Sequence, residues 1–137
     1  MAEAFELDER FPADMILVLP LVERVAGQVM ILTGSSDEVF KVKLALEESL
    51  TNAVRHGNKQ DPRRYVSLRV KVSGRDIFMD VHDEGKGFDF ERLPDPTLGE
   101  RALKPSGLGV FLMRQYMYKV EFYDNGSGVR MNRKFPS

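Results

Sequence analysis

Three groups of residues have the types and spacing to do chemistry. Glu48 and Asn52 stand four apart in the segment Glu47-Glu48-Ser49-Leu50-Thr51-Asn52-Ala53-Val54-Arg55-His56-Gly57. That spacing puts both side chains on one row of a helix. Lys41, Ala45 and Arg55 fall on the same row, about 200° round the helix from Leu46. A carboxylate so placed could activate a water or a hydroxyl. The amide oxygen beside it suits magnesium, which takes oxygen ligands and keeps several of its waters. A solvated Glu–Asn pair on an exposed face would carry the same two residues.

The second group is Asp83-Glu84-Gly85-Lys86-Gly87-Phe88. Asp83 shares parity with Ile77, Met79 and Val81, so the alternation aims its carboxylate at the buried face. Burial there is costly unless a donor meets the charge; the amino group of an adenine, helped by a bridging water, is one such donor. Gly85 and Gly87 would let the backbone turn sharply and approach a flat base. The other reading is a strand that has ended, with Asp83 opening a turn. The third group is Ser106-Gly107-Leu108-Gly109 at a loop–helix junction. Free N–H groups and the helix dipole make such a junction attractive to phosphate, and Lys104 adds a mobile positive charge. Taken alone, the same residues read as a structural turn.

Regular elements must hold these groups in place. Residues 5–11 suit an edge strand and 13–33 a first helix, with Pro20 in its first turn or kinking it. Ser35, Ser36 and Asp37 are N-cap candidates for a second helix. Its apolar residues Val39, Val42, Leu46, Leu50 and Ala53 recur at spacings of three and four, and Gly57 and Asn58 are suitable terminators. Val66, Leu68, Val70 and Val72 alternate with polar residues, then Ser73-Gly74 turn the chain into Ile77, Met79 and Val81, which predicts a hairpin. Residues 84–106 show no period and are broken by glycines and prolines, the composition of a functional lid or of a disordered segment. A short helix over 107–116 and a closing hairpin, 118–123 with 129–135 around Asn125-Gly126, complete the chain. Helices on one face of a mixed sheet follow, an α+β sandwich.

At 137 residues the chain fits a single domain. A formal net charge of −1 argues against non-specific nucleic-acid binding as its main activity. Without cysteine there are no disulfides or cysteine-ligated zinc, and two histidines give no transition-metal pattern. The apolar run 15–22 contains Pro20 and meets Glu23 and Arg24, which predicts no membrane span, and the acidic N-terminus lacks the basic region of a secretory signal. A cytoplasmic protein is expected.

Taken in order, the three groups resemble the N-box, G1 box and G2 box of the Bergerat-fold, histidine-kinase-like ATPases, from about Asp37 to the C-terminus. Asn52-Ala53-Val54-Arg55-His56-Gly57 and Gly107-Leu108-Gly109-Val110-Phe111-Leu112-Met113 are similar to the versions found in anti-sigma-factor serine/threonine kinases. The resemblance implies one domain over 1–137, a two-layer sandwich of a mixed, mostly antiparallel sheet with helices on one face, and an ATP lid at about 88–106. It implies ATP and Mg2+, with Glu48 as general base, Asn52 as magnesium ligand and Asp83 reading adenine. Gly85 and Gly87 would shape the base pocket and Gly107, Leu108 and Gly109 would hold phosphate, with Arg55, Lys104 and Ser106 also among the nucleotide-binding residues. The activity implied is phosphorylation of an anti-anti-sigma-type partner, which controls the availability of a sigma factor; a homodimer is implied as well, with the apolar N-terminal region as its interface. No direct contact with nucleic acid or membrane is expected. Many relatives carry a glycine where this chain has Pro105, which lacks an N–H donor. That departure favours the alternative of a nucleotide-gated partner-binding switch with little or no kinase activity. A detached histidine-kinase catalytic domain fits the motif details less well.

Overall fold

The computed structural model describes residues 5–86 and 105–136. Most of the expected lid therefore lies outside the described residues. The chain opens with strand β1 (Phe5–Pro12), a short 3-10 turn and helix α1 (Val18–Thr33), which ends on Gly34 at a φ of 62°. Helix α2 (Ser36–Thr51) starts where Ser35 accepts the Glu38 N–H, with Asp37 and Glu38 in its first turn to favour the dipole. It passes into a wider π-helical turn over Asn52–Gly57. Strands β2 (Tyr65–Ser73) and β3 (Asp76–His82) form the expected hairpin, with Gly74 at a φ of 60°. Helix α3 (Pro105–Tyr116) and strands β4 (Lys119–Tyr123) and β5 (Gly128–Lys134) follow.

The sheet order is β1-β2-β3-β5-β4. Val70 faces Met79, and Met79 faces Met131, so the apolar residues of three adjacent strands share one face. Every pairing among the described residues is antiparallel, where the sequence reading allowed a mixed sheet. The closing hairpin accounts for this: it inserts β5 between β3 and β4 and runs it against both.

All three helices lie on that apolar face, with α2 between α1 and α3. Leu46 and Leu50 of α2 are fully buried over Leu68, Ile77 and Met79 of the sheet. Met15–Thr33 is long and apolar enough to cross a membrane by length and composition alone. Its residues Val18, Val22, Val25, Ala26 and Val29 are packed into the core, whereas Ile16, Leu19, Met30 and Ile31 are exposed. Helix α3 begins two residues before the expected Gly107, because Pro105 has the φ that the first helical position requires. At the far end of α2, the buried Glu38 takes two hydrogen bonds from Arg133 of β5, at 3.0 and 2.7 Å. Arg133 also donates to the Tyr116 carbonyl at 2.6 Å, so one guanidinium ties α2, α3 and β5.

Candidate nucleotide site

The α2 row delivers Glu48 and Asn52 to a half-buried position at the helix end nearest β3 and α3. Asn52 begins the π-helical turn, and wide turns of this kind often mark functional positions within helices. The widening shifts the residues that follow, and Arg55 is exposed. Among the described residues, the side chains of Glu48, Asn52 and Arg55 make no hydrogen bond or ion pair, and all three are free to meet a ligand. The Glu48 carboxylate lies against the backbone of Gly109, where a Cβ would overlap its Oε2. The N-box acid and the glycine-led start of α3 are thus in direct contact. Burial, reinforced by the neighbouring Glu47 carboxylate, pushes the Glu48 carboxyl above the usual glutamate value.

Asp83 follows β3 with the parity expected of it and is only 6% exposed. Its Oδ1 accepts the Gly85 N–H at 2.7 Å, which leaves Oδ2 without a donor among the described residues. Burial raises its pKa, and the Gly85 N–H partly offsets that rise. The Asp83 N–H donates to the Ser127 carbonyl at 2.9 Å, which anchors it to the turn before β5. His82 faces the other way, as its parity predicts, and pairs with Asp124 at 3.1 Å.

Two glycines set the shape around Asp83. A Cβ on Gly57 would fall on the Asp83 carboxylate, and a Cβ on Gly85 would strike the Gly57 carbonyl. The end of the π-helical turn and the segment after β3 therefore meet backbone to backbone. The sequence reading treated Gly57 as a helix terminator only; the His56-Gly57 pair at the end of a catalytic-looking row was the one signal of more. Gly87 and Lys104 lie outside the described residues. Ser106, Gly107 and Leu108 lie in the first turn of α3, with Gly109 buried just beyond them.

Glu48 thus meets the start of α3 at Gly109, and the π-helical turn that Asn52 begins meets Asp83 and Gly85 at its far end, Gly57. The chain matches the histidine kinase-like ATPase domain over residues 11–133. It belongs to that family. It is 32% identical over 101 residues to an anti-sigma F factor of Anoxybacillus flavithermus, covering 72% of this chain and 69% of that one. It is 37% identical over 101 residues to the serine-protein kinase RsbW of Bacillus subtilis, covering 68% of this chain and 61% of that protein. An anti-sigma F factor of Clostridium botulinum is 30% identical over 116 residues, with 81% of each chain covered. Membership of this family implies the use of ATP, and the residues around Asp83 fit it: Asp83 offers a buried acceptor to an amino group, and Gly57 and Gly85 keep side chains away from that acceptor.

Proposed function

We propose that this chain is an ATP-dependent serine/threonine protein kinase and anti-sigma regulatory factor. It phosphorylates an anti-anti-sigma-type partner and so controls the availability of a sigma factor by partner switching in the cytoplasm, as a homodimer. The observation that carries the reading is the pairing of two carboxylates with separate tasks: Glu48, beside Gly109 and without a side-chain partner among the described residues, and Asp83, buried with one oxygen already committed.

In this reading Asp83 accepts the adenine amino group, and Gly85 and Gly87 let the base lie close to the backbone. The first turn of α3, with Lys104, receives the phosphates, where unpaired backbone N–H groups favour anions. Asn52 would hold Mg2+, which would supply charge neutralisation on the phosphate oxygens. Glu48 accepts the proton of the substrate serine or threonine hydroxyl as its oxygen bonds to the γ-phosphorus; the bond to the ADP oxygen breaks and ADP leaves. The raised pKa of Glu48, caused by burial and the neighbouring Glu47 carboxylate, makes its ionised form a stronger base than an exposed carboxylate.

Pro105 supports a second reading, a nucleotide-gated switch without transfer, because it removes one N–H from the helix start that faces phosphate. Incubation with radiolabelled ATP, magnesium and candidate partner proteins separates the two. Label on a partner serine or threonine, lost in Glu48→Ala while nucleotide stays bound, supports the kinase. Tight ATP binding and partner control that both survive Glu48→Ala, with no label transferred, would favour the switch.

A further inference from the structure

Asn58 follows the π-helical turn and is completely buried, at 0% exposure. Both ends of its carboxamide are used. Nδ2 donates to the Tyr65 carbonyl at the start of β2, and Oδ1 accepts the Glu84 N–H, each at 2.8 Å. Its own N–H reaches back to the Ala53 carbonyl at 2.9 Å, which closes the wide turn. The next two residues, Lys59 and Gln60, have φ of 52° and 56°, a conformation that costs non-glycine residues energy and persists only where surroundings impose it. The Gln60 N–H bonds to the Val54 carbonyl at 2.7 Å. The chain here is bent at a cost, and the bend carries Asn58 inward.

Glu84 is the residue between Asp83 and Gly85. Holding its N–H fixes the peptide plane that joins it to Asp83, and so the point from which the chain turns to bring the Gly85 N–H back to the Asp83 carboxylate. That N–H occupies Asp83 Oδ1 at 2.7 Å and leaves Oδ2 for the ligand. We propose that Asn58 is a positioning residue for base recognition: by holding the Glu84 amide it orients the Asp83 carboxylate toward an exocyclic amino group, and so sets the preference for a 6-amino over a 6-oxo purine. The inference rests on the adenine-reading role of Asp83 proposed above. No smaller side chain can both donate to Tyr65 and accept from Glu84 across this gap, and an aspartate would add a second buried charge near Asp83 without a donor for Tyr65.

The test compares the affinities of ATP and of inosine triphosphate, which carries a 6-oxo group, by calorimetry on the intact protein. The unaltered chain should prefer ATP. Asn58→Ala should weaken ATP by about tenfold, the worth of one well-aligned hydrogen bond, and leave inosine triphosphate nearly unchanged. A purely structural role would weaken both nucleotides alike, and that result, or an unchanged preference, overturns the proposal. Asp83→Asn is measured alongside. If it abolishes the preference and Asn58→Ala does not, the positioning role fails and the pocket stands; if Asp83→Asn keeps the preference, the reading of the pocket fails first. Should Asn58→Ala not fold, hydrogen exchange of the Glu84 amide in the unaltered protein decides. Exchange slowed further by ATP than by inosine triphosphate supports the role, and equal slowing or exchange at a free-turn rate overturns it.

Discussion

The contact between Gly57 and Asp83 leaves no room for a side chain, so Gly57→Ala is a direct probe of it. Alanine would favour the helical backbone by about 1 kcal/mol, which opposes any simple loss of stability. Its methyl group would nevertheless displace the Asp83 carboxylate, and ATP affinity should fall by at least about tenfold in calorimetry. Unchanged affinity would mean that the carboxylate is not held there when nucleotide binds. Glu48 gives a prediction with a pH axis. Its folded pKa is raised, so the folded state holds its proton more tightly than the unfolded chain does. Stability is therefore lost as pH rises from the ordinary glutamate value through the raised one, and the penalty is complete only above the raised value. Glu48→Gln should accordingly raise the melting temperature at pH 7, show no such gain at acid pH below the ordinary glutamate value, and abolish phosphoryl transfer. A melting temperature that falls equally at both pH values would sink this account. At this scale Asp83 was legible because strand parity is a local property. Gly57 and Asn58 were not, since their roles depend on Asp83 and Glu84, some 26 residues further along the chain in the Asn58–Glu84 case. A glycine and an asparagine after a helix read equally well as an ordinary terminator.

Among the elements, the strands were the most readable, because Val66, Leu68, Val70 and Val72 obey a period of two and are all buried. The π-helical turn was invisible, since Asn52 to Gly57 carry no feature that separates its wider hydrogen bonding from that of an ordinary helix end. The Glu38–Arg133 pair was equally hidden, because its members lie 95 positions apart. It matters because it ties the start of α2 to β5 and the end of α3, while the other end of α2 carries Glu48. Arg133→Met leaves Glu38 buried with Lys41 as its one remaining cation among the described residues, at 3.8 Å, and should cost about 3 kcal/mol in thermal or denaturant unfolding. Adding Glu38→Leu removes the stranded charge and should recover most of that loss. A double variant as unstable as the single one would show that packing, rather than charge, is what Arg133 contributes.

Across the whole molecule, the core and the candidate site draw on different residues. Leu46, Leu50, Ile77 and Met79 belong to the core, and among the described residues no group of three or more acidic or histidine side chains is placed to hold a metal. A divalent cation at Asn52 would thus depend on phosphate oxygens brought by the nucleotide, in the way magnesium is usually held at such sites. Stability should follow that dependence. Without nucleotide, removing divalent cations with EDTA should leave the melting temperature unchanged. With ATP and magnesium at about 100 times the dissociation constant, binding to the folded state alone should add about 2.7 kcal/mol, and EDTA should remove much of that gain. Asn52→Ala should reproduce the EDTA effect and make the remaining ATP stabilisation insensitive to magnesium. A fall in the melting temperature of the nucleotide-free protein on adding EDTA would contradict this, because it would require a metal bound by the fold itself. An ATP gain indifferent to both EDTA and Asn52→Ala would instead move the cation away from the α2 row and leave Asn52 without its proposed role.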